Sequence, residues 1–154
     1  MSVVELFGVK FRPDLYYNEH IWAKLEEDGT VRVGFDDIVA RGSVKIFMVK
    51  LLPPGTAVIQ KKKLGIMESI KYTGPIVAPL SGTIVKVNED VRKRGAIAFK
   101  DDPYGEGWLS VLKPSNLENE LKNILHGDTA VEWFRQEAEK SQADIAAGEY
   151  KGGF

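Results

Sequence analysis

The chain has 154 residues, enough for one domain with its own apolar core and too few for two comfortable ones. Its 21 basic and 22 acidic side chains nearly cancel, so no field argues for nucleic acid or an anionic membrane. The absence of cysteine excludes disulfide staples, cysteine–zinc sites and thiol nucleophiles, and leaves any thiol chemistry to a bound group. His20 and His126 are the only imidazoles, and neither has a ligand-spaced partner. No apolar run approaches the roughly 18 residues that span a bilayer. The first residues, Met1 to Leu6, carry an early acid and no basic lead, unlike a signal peptide, so a cytoplasmic location is expected.

The first fourteen residues hold a short apolar run, Val3–Phe7, then Gly8 and Arg12-Pro13-Asp14, and read as an extension adding an edge strand. From Tyr16 the pattern alternates. Ile21, Ala23 and Leu25 share one strand face and Trp22 and Lys24 the other. Glu26-Glu27-Asp28-Gly29 is a hairpin turn, and Val31–Phe35 returns as its partner strand. Asp36-Asp37 reads as an acidic cap on the helical turn Ile38–Ala40 rather than a catalytic carboxylate pair. Val44–Val49 is rich in strand formers, and Pro53-Pro54-Gly55 turns the chain.

Lys61-Lys62-Lys63 reads first as a solvated turn, with a docking patch for an acidic partner as the sharper alternative. Leu64–Met67 and Ile76–Ala78 then flank a short polar centre, with Gly74-Pro75 and Ser81-Gly82 as punctuation. This places Lys71 at the tip of a hairpin, its flexible stem in solvent. Gly55-Thr56-Ala57-Val58 is echoed by Gly82-Thr83-Ile84-Val85, which suits a barrel of two related halves. Thr83–Asn88 reads as a strand, Arg92 to Gly95 as a charged turn and Ala96–Phe99 as a further short strand. Gly105 and Gly107 supply backbone freedom around a buried Trp108, and Trp108–Leu112 closes the sheet. Ser115 to Glu118 and Thr129 to Glu132 are capping boxes, predicting helices over about 115–126 and 129–147. The expected architecture is mainly β: a flattened antiparallel barrel or sandwich hybrid with C-terminal helices. Residues 1–147 form one domain in this reading, with 148–154 as a tail.

Glu68-Ser69-Ile70-Lys71, with Pro79-Leu80-Ser81-Gly82 after it, resembles the lipoylation segment of glycine cleavage system H proteins. Tyr17-Asn18-Glu19-His20-Ile21-Trp22 is similar to the family's N-terminal motif, and Pro103-Tyr104-Gly105-Glu106-Gly107-Trp108 to its later signature. Three ordered motifs over roughly residues 15–135 are far more specific than any one of them. The resemblance implies a lipoyl-domain-like fold and lipoic acid joined to Lys71 as an amide. The product is a swinging arm on a carrier, with no catalytic residue and no metal ligand of its own. Implied partners are a lipoate ligase or lipoyl transferase, dihydrolipoamide dehydrogenase, and the other enzymes that load and discharge the arm. Glu68, Ser69, Ile70 and Gly82 are expected recognition residues for the lipoylating enzyme, with Glu68 facing solvent and Gly82 needing positive φ. Glu19, His20, Ile21, Ile38 and Pro75 are expected to line an arm cleft.

The sequence also departs from the family. Its members usually carry Glu between the His and Trp of the first motif, and Asp four residues after the modified lysine. These positions are Ile21 and Pro75 here, and Ile38 replaces a histidine. Glu19, read as sharing a strand face with Ile21, is the one candidate substitute acid. An apolar cleft is a poor host for an aminomethyl cargo, whose amine is cationic near neutral pH. The favoured expectation is therefore a lipoate-binding protein of a sulfur-oxidising, heterodisulfide-reductase-like complex. Glycine cleavage is the alternative, and an unmodified scaffold or regulatory barrel the third reading.

Overall fold

The computed structural model describes residues 3–42, 46–69 and 73–146. Extended segments dominate: β1 (Val4–Leu6), β2 (Val9–Phe11), β3 (Tyr16–Asn18), β4 (Ile21–Leu25), β5 (Val31–Phe35), β6 (Ile46–Leu51), β7 (Ala57–Val58), β8 (Lys63–Ser69), β9 (Thr73–Val77), β10 (Gly82–Val87) and β11 (Ser110–Pro114). The helices among the described residues are α1 (Asp37–Arg41), α2 (Glu89–Arg94), α3 (Leu117–Glu120) and α4 (Asp128–Ala146). A six-stranded sheet, β3-β4-β5-β11-β10-β7, and a three-stranded sheet, β6-β8-β9, are antiparallel throughout. They form the mainly-β half-barrel that the strand pattern predicts.

The main core joins residues of both sheets, among them Val33, Phe35, Leu64, Met67, Ile76 and Ile84. A second cluster, built on Phe11, Tyr17, Trp22, Ile38 and Phe134, joins the N-terminal strands to α4. That second cluster breaks the expected alternation of β4. Ile21, Trp22 and Ala23 are all buried, because the sheet is covered on both faces at this end. The N-terminal extension is a separate two-stranded hairpin, β1–β2, rather than one edge strand.

The tetrapeptide echo has a structural meaning. Val58 pairs with Gly82 and Ala57 with Thr83, so the two echoing segments lie antiparallel against each other. The Gly55 and Ile84 amides extend that contact by donating to the Ile84 and Thr56 carbonyls, at 2.7 and 2.9 Å.

Several local expectations are corrected. Gly74 and Pro75 do not reverse the chain but sit inside β9, an edge strand, where proline leaves no ladder bond broken. The segment read as a charged turn is α2, capped by the Asn88 side chain, with Glu89 and Asp90 opening it and Arg92 and Arg94 closing it. Gly95–Ala98 is a 3-10 turn, not a strand. The predicted helix over 115–126 shrinks to α3 and a 3-10 turn, Leu121–Asn123. Tertiary bonds outcompete it: the Ser115 amide donates to Ser81 O, and Leu125 pairs with Tyr17. The second predicted helix is α4, which starts at Asp128; residues 147–154 lie outside the described residues.

Gly82 and Gly107 matter through contact, not conformation, since neither has positive φ. A Cβ on Gly82 would collide with the Lys113 carbonyl oxygen across the β10–β11 ladder. A Cβ on Gly107 would meet Phe99 Cβ at 2.6 Å. Trp108, expected to be buried where Gly105 and Gly107 free the backbone, is only half-buried, with Arg32 and Lys86 5.3 and 5.6 Å from its ring. The buried indole is Trp22 instead. Gly82→Ala is expected to lower stability by about 1–3 kcal/mol, because the backbone opposite cannot yield without breaking the ladder. Urea unfolding measures it, and an unchanged midpoint would show that the strands separate freely.

Candidate functional site

The segment that resembles a lipoylation site falls on the hairpin β8–β9. Leu64, Met67 and Ile76 point into the main core and hold both strands down. Their pairing runs Ile66 to Pro75, Met67 to Gly74 and Glu68 to Thr73. Lys71, with Ile70 and Tyr72, lies outside the described residues. On the ascending strand Glu68 and Ser69 are half-buried rather than fully solvent-facing. They pair with Met48 and Ile46 of β6. Gly82 is not part of this neighbourhood: it starts β10 and pairs with Val58 and Pro114.

The N-terminal motif builds a buried polar knot. Asp36 has no exposed surface; it caps α1 through the Val39 amide at 3.1 Å and meets His20 Nδ1 at 2.7 Å. The other imidazole nitrogen, Nε2, faces Glu137 of α4 at 3.3 Å. Burial lowers the His20 pKa, but the Asp36 charge and bond, with help from Glu137, reverse this and raise it to about 10. The imidazolium in turn holds the Glu137 carboxyl below its usual range.

Neighbouring motif residues are equally occupied. The Tyr17 hydroxyl donates to Arg12 O at 2.8 Å, and the Tyr104 hydroxyl donates to Lys10 O at 2.8 Å while accepting the Asp37 amide at 3.3 Å. Burial pushes both phenols up, so they remain neutral donors. Trp22 Nε1 donates to Phe35 O and Pro103 O at 2.7 and 3.1 Å, tying the first motif to the last.

A cavity of about 930 Å³ opens beside this knot, lined in part by Ala40, Arg41, Ile46, Ile97 and Tyr104. Ile46 pairs with Ser69, so one lining residue belongs to β6, the strand alongside β8. None of the expected cleft residues lines it. Ile21 is in the main core, Ile38 lies in the cluster that contains Phe134, and Pro75 is exposed on an edge strand. Glu19 does not share a strand face with Ile21. It is exposed in the β3–β4 turn with φ of 51°, which breaks the alternation. Of the five lining residues named here, the motifs had marked only Tyr104. The others share no sequence spacing and come together through α1, β6 and the 3-10 turn.

No described helix is long and apolar enough to cross a membrane. Residues 14–137 match the family model described as glycine cleavage H-protein. Among curated proteins, glycine cleavage system H protein 2 of Aquifex aeolicus is 38% identical over 150 residues, covering 96% of this chain and 91% of that one. A probable glycine cleavage system H protein of Pyrococcus abyssi is 35% identical over 134 residues, 86% of this chain and 98% of that one. Among solved structures, a glycine cleavage system H protein from Mycobacterium marinum superposes with a TM-score of 0.61 at 32% identity, covering 68% of this chain and 87% of that one.

The knot makes a pH prediction with a definite sign. His20 titrates higher folded, at about 10, than the 6.5 of a free imidazole. Its stabilisation is therefore complete below pH 6.5 and fades as pH rises toward 10. In urea unfolding, His20→Gln should be less stable than wild type by about 1–3 kcal/mol at pH 6, with the gap closing by pH 10. A gap independent of pH would mean that the imidazole acts only by packing.

Proposed function

The chain belongs to the glycine cleavage H-protein family, and on that premise we propose that Lys71 bears its lipoyl group and that the arm serves glycine decarboxylation. As a member of the family the protein is a lipoyl carrier, not a catalyst, and its cofactor is covalently attached lipoic acid. The observation that carries the attachment site is the β8–β9 ladder, whose pair Glu68–Thr73 brackets the segment containing Lys71. A primary amine between two core-anchored strands fits an amide-linked carboxylic acid. Attachment joins Lys71 Nζ to the carboxyl carbon of lipoate; the amine loses a proton and the activated donor loses its leaving group. Met67 and Ile76 keep the strands fixed, so reach is left to the lysine stem and what it carries. When bound, the group supplies a dithiolane that takes up electrons or a one-carbon amine unit and yields them to partner enzymes. Tethering makes each transfer intramolecular within a docked complex.

The partners in this reading are a lipoate ligase or transferase, glycine decarboxylase, aminomethyltransferase and dihydrolipoamide dehydrogenase. The heterodisulfide-reductase-like role favoured by the sequence finds no support, since the relatives described above carry glycine cleavage names. Its residue basis weakens as well. Ile21 and Ile38 are apolar because they are 5% and 1% exposed inside the clusters, and Pro75 lies on an edge strand. The identity of the two isoleucines answers to packing and says little about cargo.

The lipoylated chain should support NADH formation from glycine with decarboxylase, aminomethyltransferase and dehydrogenase, within about tenfold of an established H protein. Lys71→Arg should reduce turnover to background and abolish the lipoyl adduct in the intact mass. A persisting adduct would move the site elsewhere, and normal loading without turnover would sink the glycine reading. Glu68→Ala is expected to slow modification several-fold and to change stability by no more than about 0.5 kcal/mol.

A further inference from the structure

The β8–β9 hairpin has a second end, and it is strongly cationic. Lys61, Lys62 and Lys63 are all exposed, beside Ile59 at 63% exposure. None of the three makes an ion pair among the described residues. A solvated turn with three like charges would be expected to be mobile, yet this one is pinned. The Lys61 amide donates to Ala78 O and the Ala78 amide to Lys62 O, both at 2.7 Å. Gln60 adds a bond from its amide to Ser81 Oγ at 2.8 Å and two from Nε2, to Pro79 O and Glu120 O, at 3.0 and 2.9 Å. Glu120, the nearest acid in this network, is turned inward onto the Ser81 amide and hydroxyl at 2.7 and 2.6 Å, leaving the lysines uncompensated. Lys61 itself holds φ of 66°, a left-handed conformation that costs a non-glycine residue energy and persists only when the surroundings impose it.

We propose that this turn is a docking patch for an acidic face of the enzyme that attaches the lipoyl group. The inference rests on Lys71 being the modified residue. From Lys63 to Ser69 the strand climbs six residues, about 20 Å, so the patch sits a full strand length from the end of β8 that leads on to Lys71 in the sequence. Enzymes that act on a finished arm meet a group carried away from the fold. The attaching enzyme has no arm to grasp and must hold the folded hairpin while it presents one amine. It must also reject three exposed amines close by in sequence. Seating Lys61–Lys63 against carboxylates does both, because the three side chains are engaged by the partner and held at a distance from the acyl donor. An acidic protein face fits better than nucleic acid or a lipid surface, since the chain's net charge of −1 offers a polyanion no long-range attraction.

The test uses the full unmodified chain with lipoate ligase, lipoate and ATP. Replacing Lys61, Lys62 and Lys63 together by Gln should raise the KM for the chain about five- to tenfold, leave kcat unchanged and flatten the rise of KM with salt. The matching Arg triple, which cannot be acylated, should restore both KM and salt dependence, and Lys93→Gln on α2 should alter neither. An unchanged KM and salt slope in the Gln triple overturns the proposal. So does an unchanged KM combined with Lys61–Lys63-dependent binding to phosphatidylglycerol vesicles, which would assign the patch to a lipid surface. Peptide mapping of the wild type scores the underlying reading separately: an adduct away from Lys71 overturns the attachment site, while the KM and salt slopes still decide the docking.

Discussion

A single carboxylate, Asp36, has more of the molecule hanging on it than any other group. It is fully buried, directly after β5, where an unpaired charge would cost several kcal/mol. The fold meets that cost from two sides: Oδ1 accepts the Val39 amide and caps α1, and Oδ2 meets the His20 ring, while the backbone amide of Asp36 separately ties the chain to His20 O. His20 is thereby kept cationic and becomes a post for Glu137, which brings α4 down over Phe11, Tyr17 and Ile38. A C-terminal helix is thus positioned by a charge placed a hundred residues earlier in the chain. The apolar stripe of α4 supplies most of the burial, but hydrophobic contact alone does not set where along its axis the helix rests.

The same economy explains the distribution of rigidity. The three-stranded sheet is short, and among the described residues each of its outer strands, β6 and β9, pairs on one side only, so buried side chains beneath it add to what the ladder holds. Leu64, Met67 and Ile76 are buried almost completely and anchor β8 and β9 at intervals along their length. For a carrier this matters more than overall stability. A partner that must find one lysine benefits from strands that do not move, because every mobile degree of freedom in the platform dilutes the effective concentration of the group at its end.

How much of this was legible follows from which interactions are local. The β4–β5 hairpin and the Asp36 cap of α1 depend on turn and cap chemistry within a few residues, and the residue pattern showed them directly. The α2 helix was equally local, with an Asn cap, two leading acids and a basic last turn, but it reads as a charged loop when apolar periodicity is the criterion. The helix expected over 115–126 failed for the opposite reason. Its expected capping box does not form: α3 starts after Asn116 without a side-chain cap, while Ser81 and Tyr17 compete for the backbone and for Glu120 from far away in the chain. Likewise nothing local says that Trp22 rather than Trp108 is the buried indole. The three motifs carry the family resemblance, whereas the cavity beside the His20–Asp36 knot is assembled from α1, β6 and the 3-10 turn Gly95–Ala98 and has no signature of its own.

The motifs themselves divide the labour differently from what their chemistry suggests. His20, Asp36, Tyr17 and Tyr104 are the residues a reader would pick for acid–base work, and all four are spent on holding the fold. The raised proton affinities of Tyr17 and Tyr104 arise from burial and neighbouring charges, and that of His20 from neighbouring charges that outweigh its burial, effects that structural networks produce as readily as active sites do. A carrier has reason to be built this way. Its reactive group is brought in from outside and must be handed intact to other proteins. A free imidazole or carboxylate beside it would offer a competing proton donor or acceptor. Locking these four side chains into satisfied bonds withdraws them from that competition, which suits a shuttle for reactive cargo.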